Sequence, residues 1–332
     1  MRVECGVWSV EFKMRLKKYI PLLFACAAMV LLVFCPAEAA SYAYDGLKLC
    51  AEMLIPSLLP FFVVSGLLRA WGLPGILGRL LEAPAARLWG VDGACVSAFL
   101  LGVLGGYPLG AATIGQLRAD GAISREEGER ALAFCSNTGP AFLLGAAGMG
   151  VFHSRKAGFL LYGAHVLSAV LVGVLVSKRS RIETPRERSY IAVASVSKAL
   201  PEAVEQTSRA LLSVSAFVVL FSVLTGLLTY IGYLPALAGR LAADTGMELT
   251  AARSLFTGLL EIGSGLGAMR GLAPTGRNLA LCAFLLSFGG LAVWCQTLGV
   301  ISESDLTGRY YLPGKLLQGV IAALLVLLVG IQ

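Results

Sequence analysis

Charge and histidine are what this 332-residue chain has least of. Asp, Glu, Lys and Arg together make up 14% of it, and histidine occurs twice, at 153 and 165. A soluble domain of this size carries about a quarter charged residues, so the first shortage excludes an ordinary water-exposed surface. The second leaves a histidine-based metal centre almost without ligands, and no metal is expected. The eight cysteines, at 5, 26, 35, 50, 95, 135, 282 and 295, contain no Cys-x-x-Cys pair; they read as small packing residues rather than a redox or zinc framework. No Gly-x-Ser-x-Gly, His-Glu-x-x-His, Walker or Asp-rich motif occurs. The chain is therefore expected not to be an enzyme and to need no cofactor.

What is abundant is hydrophobicity, at 57%, and glycine, at 39 residues. Together they describe an integral membrane protein whose helices pack closely or break within the bilayer. The formal charge of +7 does not indicate nucleic acid, because it is concentrated. Residues 1–18 hold five basic against two acidic side chains, and 178–188 hold five against two again. Both flank apolar runs, as the positive-inside rule describes for cytoplasmic segments. The expected partner is the lipid bilayer, and the expected location is a bacterial cell membrane.

A span needs about 20 mostly apolar residues. Runs at 20–36, 50–71, 157–176, 209–231 and 315–331 meet that need. The first has a second reading, since a basic start followed by an apolar core and Ala37-Glu-Ala-Ala-Ser41 also describes a cleavable signal peptide. The runs 93–116 and 252–270 are interrupted by glycine and read as broken helices. The runs 131–152 and 279–300 carry polar or glycine knots at their centres and read as re-entrant hairpins. The expected fold is all-α and polytopic, with about seven to eight spans. Ser124-Arg-Glu-Glu127 is a capping box, which starts a helix leading into the first hairpin.

The two halves resemble each other. Leu58-Leu-Pro-Phe-Phe62 falls opposite Ser215-Ala-Phe-Val-Val219, and residues 99–110 fall opposite 256–267, both at an offset of 157. Ser136-Asn-Thr-Gly-Pro-Ala-Phe142 falls opposite Ser287-Phe-Gly-Gly-Leu-Ala-Val293 at an offset of 151. With both basic segments inside, residues 50–71 run inward and 209–231 run outward, so the repeat is inverted, as in secondary transporters. The organisation expected is a basic N-terminus and first span (1–45), a first repeat (46–177), a basic linker with an amphipathic helix (178–208), and a second repeat (209–332).

Candidate functional residues follow from polarity at membrane depth. Ser136, Asn137 and Thr138 offer donors and acceptors, and Gly139 and Pro140 supply a turn; irregular backbone is tolerated there only if protein buries it or it lines a watery cavity. Glu261 sits mid-span, which makes it a candidate proton carrier, cation ligand or substrate contact, unless it pairs with Arg253 or Arg270. Tyr107, Pro108 and Ser264 fall at matching breaks, where free helix N-termini suit carboxylate or phosphate groups. Ser287, with Gly289 and Gly290, marks the second tip. Gln296 and Gln116 are weaker candidates, and Glu52 lies nearer a span end. Glu126-Glu127-x-x-Arg130 is similar to the Glu-Glu-x-x-x-Arg of an intramembrane protease family, but it is one residue short and has no histidine partners on neighbouring spans.

The segments 56–68, Gly105-Gly-Tyr-Pro-Leu-Gly-Ala111, 121–152 and 287–296 resemble the sporulation integral membrane protein YlbJ family, which carries the nucleoside-recognition or gate domain shared with concentrative nucleoside transporters. The resemblance spans roughly residues 50–330. It implies a role in spore cortex formation, with dipicolinic acid moved across the outer forespore membrane, and it places Tyr107, Pro108, Ser136, Asn137, Gly139 and Pro140 in shared motifs. On this reading the substrate is a small anion of the dipicolinate kind, a cation couples its movement, and no nucleic acid is involved. The competing readings are a non-transporting scaffold or assembly factor for the spore envelope, and a nucleoside-type transporter.

Overall fold

A computed structural model of the chain describes residues 19, 22–23, 25–177 and 195–329. The basic segments 1–18 and 178–188, on which the cytoplasmic orientation rests, lie outside the described residues. The described residues are helical throughout their ordered elements. The first half runs through α1 (Ala25–Phe34), α2 (Pro36–Leu49), a π-helical turn (Cys50–Leu54), α3 (Ile55–Ala70), α4 (Leu73–Leu80) and α5 (Glu82–Trp89). It continues with α6 (Ala94–Gly105), α7 (Leu109–Ala119), α8 (Arg125–Cys135), a π-helical segment (Ala141–Val151) and α9 (Arg155–Leu175). The second half comprises α10 (Val196–Tyr230), α11 (Tyr233–Thr245), α12 (Leu249–Leu260), α13 (Ile262–Ala268), α14 (Gly276–Phe288), α15 (Gly290–Val300) and α16 (Tyr311–Val329). The expected boundary at 208/209 falls inside α10.

Four of these units are long and apolar enough to cross a bilayer: α9, α10, the pair α14 and α15 taken as one run of 25 residues, and α16. Counting each sharply bent pair as one span raises the number to six among the described residues, fewer than the seven to eight expected. The first expected span, 20–36, is one such pair: the chain turns by 105° between α1 and α2. Pro36 disfavours helical geometry at Cys35, whose φ and ψ of −127° and 55° are non-helical. Large apolar side chains such as Phe159, Leu212 and Leu328 point outward from the long helices, as a lipid-facing surface requires.

The interrupted runs differ from expectation in a specific way. The two read as broken helices fold back on themselves. A Cβ on Gly102 of α6 would lie 3.2 Å from the Gly110 Cα of α7, and one on Gly265 of α13 would lie 2.3 Å from the Gly258 Cα of α12. Residues eight and seven apart approach that closely only if the arms are antiparallel, since a straight helix would separate them by more than about 10 Å. The glycines let the two backbones touch. Conversely, the run read as a second hairpin, 279–300, continues onward as one apolar run interrupted at Gly289. Gly289 and Gly290 have φ values of +85° and +80°, a region open to glycine, and this breaks the hydrogen-bond ladder without turning the chain back. In the first half, α8 and the π-helical segment both pack on α9, α8 also on α6, α7 and α16 and the π-helical segment also on α13.

Element order recurs: a helix ended by a left-handed glycine (Gly72, Gly232), short helices, a hairpin (α6/α7, α12/α13), a broken run (α8 to 151, α14/α15) and a long helix (α9, α16). The packing recurs too. Helix α8 packs on α16 as α14 packs on α9, α15 on α7 as the π-helical segment on α13, and α9 faces α16 between them.

Candidate functional site

The two hairpin tips and the two chain breaks converge. Helix α8 starts at the capping box read from the sequence: the Ser124 Oγ accepts from the Glu127 N–H at 3.2 Å, and the Glu127 Oε2 accepts from the Ser124 N–H at 2.9 Å. It stops at Cys135 with Pro140 ahead; Ser136 is extended, and residues 136–139 form no regular element. The Cys135 carbonyl sits in the notch of the first hairpin, where a Cβ on either Gly102 or Gly110 would come within 1.9 Å of it. A Cβ on Gly139 would lie 3.2 Å from the Gly106 Cα, and one on Gly290 would lie 2.9 Å from the Gly258 carbonyl oxygen. Each break therefore rests against the hairpin of its own half. Tyr107 crosses between halves: its hydroxyl donates to the Ser287 carbonyl at 3.2 Å.

Around this junction lies a cavity of about 320 Å³. Its walls include Gly105, Gly106 and Tyr107 from the first hairpin tip, Thr138, Gly139 and Pro140 from the first break, and Glu261 and Gly263 from the second hairpin tip. Val293 and Gln296 of α15 and apolar side chains of α3 and α10 complete it. Glu261 is 2% exposed and serves as the N-cap of α13, its Oε1 and Oε2 accepting from the Gly263 and Ser264 N–H groups at 2.7 and 2.5 Å. The break is therefore at Glu261, three residues before Ser264. The helix N-terminus expected to be open to a substrate carboxylate is occupied by the chain's own, and this capping replaces the pairing with Arg253 or Arg270 considered from sequence.

Behind the wall formed by Tyr107 and Thr138 is a buried polar network. The Asn137 Nδ2 donates to the Phe134 carbonyl at 2.8 Å, and its Oδ1 accepts from the Gln318 Nε2 at 3.0 Å and the Lys315 Nζ at 3.5 Å. Lys315, 0% exposed, also donates to the Gln318 Oε1 at 2.5 Å and lies 5.3 Å from the centre of the Tyr107 ring. The Thr138 N–H donates to the His165 Nε2 at 3.1 Å, and its hydroxyl donates to the Leu286 carbonyl at 2.5 Å. Since the His165 Nε2 accepts, the ring proton is on Nδ1, 2.7 Å from the Ser287 Oγ. This histidine is a neutral clamp that ties the first break to the end of α14. The Ser136 Oγ is buried and faces the Tyr311 hydroxyl, with no other partner among the described residues.

Of the residues singled out from sequence, Tyr107, Thr138, Gly139, Pro140, Glu261 and Gln296 line the cavity. Ser136, Asn137 and Ser287 lie in or beside the network behind it. Pro108 is buried at the N-cap of α7, and Ser264 contributes its backbone N–H to the Glu261 cap. Gln116 lies outside the site, donating to the Asp120 Oδ1 at 2.9 Å, and Glu52 is exposed. His165, Lys315 and Gln318 were not singled out. An apolar run counted from 315 treats Lys315 as its edge, yet α16 begins at Tyr311 and carries Lys315 inward. A lysine and a glutamine three residues apart inside Tyr-Leu-Pro-Gly-Lys-Leu-Leu-Gln-Gly-Val were the available signal.

The family described as Gate, nucleoside recognition, matches residues 51–197. The chain is 32% identical over 325 residues to the sporulation integral membrane protein YlbJ of Bacillus subtilis (strain 168), and the match covers 88% of this chain and 78% of the relative. No solved structure gives a significant match.

Proposed function

The chain belongs to the YlbJ family, and from that premise we propose that it is a secondary transporter, not an enzyme, for a small organic anion of the dipicolinate kind. The observation that carries this reading is the convergence of both hairpin tips, the first break and α15 on one cavity, the arrangement in which transporters built from internal repeats hold their substrate. At about 320 Å³ the cavity suits one small molecule. The recurrent packing of the two halves supports an inverted repeat, with one half moving against the other to open the cavity to each side alternately.

Glu261 is the coupling group in this account. An ionised carboxylate on the cavity wall repels an anionic substrate, whereas a protonated one does not, so proton or cation capture at Glu261 and anion entry favour each other. By family resemblance the setting is spore cortex formation and the membrane is that around the forespore.

A nucleoside-type substrate is the second reading. The description of the matching family favours it, as does a cavity wall that carries Glu261 and Gln296 but no cation. Uptake by proteoliposomes separates these: labelled dipicolinate and labelled uridine are offered under an imposed pH or sodium gradient. Saturable dipicolinate uptake, lost in Glu261→Gln, is the expected result. Uridine uptake alone selects the second reading. Uptake of neither, with the cellular phenotype intact in Glu261→Gln and Asn137→Ala, leaves a membrane scaffold.

A further inference from the structure

We propose that Lys315 carries the positive charge with which this site meets the carboxylate of its substrate, and that Tyr107 is the movable screen between them. The inference rests on the anion-transport reading above.

Lys315 lies within an apolar spanning helix, fully buried, and its contacts among the described residues are neutral: the Gln318 Oε1 at 2.5 Å, the Asn137 Oδ1 at 3.5 Å and the face of the Tyr107 ring. A cationic side chain at that depth is costly unless an anion joins it. Glu261, the carboxylate on the cavity wall, is engaged in capping α13. The place of a counter-charge beside Lys315 is therefore left to something the described residues do not supply.

The surroundings are rich in donors. The hydroxyls of Ser136, Thr297 and Tyr311 are buried and face one another, with no other side-chain or backbone partner among the described residues. Tyr311 lies one turn before Lys315 on α16, so the two share a face. Ser136 adjoins Asn137, the residue that Lys315 touches. An ammonium with neutral acceptors and nearby hydroxyls engaged only with one another suits a carboxylate and gives a neutral heterocycle little advantage.

Tyr107 belongs to both compartments. It lines the cavity and also covers the ammonium, and its hydroxyl is held only by neutral partners, the Ser287 carbonyl and the Thr138 hydroxyl. Displacing the ring opens the cavity to Lys315 without breaking the clamp between Thr138 and His165. Because Ser287 ends α14 in the second half and Tyr107 tips the first hairpin, relative movement of the halves bears directly on this bond.

The test compares dipicolinate with pyridine-2,6-dicarboxamide, which has the same outline and no charge. With the wild-type protein, dipicolinate is taken up by proteoliposomes and raises the melting temperature in detergent, whereas the diamide gives little stabilisation. Lys315→Met removes a charge without leaving a void, and it raises the dipicolinate KM about tenfold or more while abolishing the thermal shift. Lys315→Gln does the same and serves if the methionine variant does not fold, and Lys315→Arg retains part of the response. An undiminished dipicolinate shift in Lys315→Met or Lys315→Gln overturns the inference and leaves the transport reading standing. Equal stabilisation of the wild type by the diamide overturns it too, because charge is then not what is read. Absence of both uptake and shift in the wild type overturns the transport reading and this inference together.

Discussion

Replacing Asn137 with alanine deletes an acceptor that two α16 side chains share and a donor that satisfies the last turn of α8. The Asn137 Nδ2 bond to the Phe134 carbonyl at 2.8 Å is lost outright. Gln318 keeps a 3.3 Å bond to the His165 carbonyl, and Lys315 keeps the Gln318 Oε1 at 2.5 Å, so neither is stripped completely. A buried polar group left unpaired costs about 1–3 kcal/mol, and loss of a bond to a charged donor costs about 1.5–3 kcal/mol. The expected destabilisation is then about 3–5 kcal/mol, or a fall of roughly 6–20 °C in melting temperature at about 2–4 °C per kcal/mol. Cys95, Cys135 and Cys282 are fully buried free thiols, so a thiol-reactive fluorophore reports the unfolding in detergent as labelling above that of the exposed Cys26 and the half-buried Cys35 and Cys295. A double-mutant cycle isolates the network: in a Lys315→Met background the asparagine has one fewer partner, and the expected coupling is about 1–3 kcal/mol. Asn137→Ala melting within about 1 °C of wild type, or strictly additive single variants, would refute the reasoning, because no shared buried network would then exist.

Two further outcomes follow. Gly110→Ala places a Cβ 1.9 Å from the Cys135 carbonyl oxygen, a backbone atom with nowhere to go, and is expected to cost about 3 kcal/mol or more; Gly163→Ala in α9 meets nothing within 4 Å and is expected to stabilise by about 0.5–1 kcal/mol. Comparing the yield of folded protein and the melting temperature of the two variants checks this. Arg118 holds Asp305 through bonds of 2.7 and 2.9 Å, and this hydrogen-bonded guanidinium depresses the Asp305 carboxyl below its ordinary range. Its contribution is present above the ordinary carboxylate range and is lost as pH falls through the depressed value; both side chains are partly exposed, so the effect is small and screened by salt. Asp305→Asn is expected to flatten the acid limb of stability between about pH 5 and 2 at low salt and to change nothing at high salt, as read from melting temperature against pH.

The parts of this molecule legible in the sequence are those fixed by near neighbours. The capping box at Ser124 and Glu127 and the break at 136–140 are local events, dictated by a hydroxyl, a carboxylate and a proline within a few positions. Whether a glycine-rich run folds back or carries on is decided at longer range. Gly102 and Gly110 make a hairpin because the Cys135 carbonyl fits between them, whereas Gly289 and Gly290 only interrupt α14 and α15. That is why the expected broken helices fold back and the second expected hairpin carries on. The site was half visible for the same reason. Glu261 and Asn137 stand out as polar residues in apolar runs, and a window that starts at Lys315 hides the cation. His165 has no polar neighbour in sequence, and its role as a clamp emerges only when Thr138 and Ser287 are brought to its two nitrogens.

The central claim is that a substrate passes through the cavity between the hairpin tips, the first break and α15. Gly145 lines that cavity and has no atom within 4 Å of where its Cβ would stand, so Gly145→Trp can fill the space without displacing backbone. The decisive measurement is dipicolinate uptake into proteoliposomes by wild type and Gly145→Trp at matched amounts of folded protein. The account predicts saturable uptake by wild type and none above protein-free vesicles for the tryptophan variant. Uptake by Gly145→Trp at the wild-type rate would contradict it.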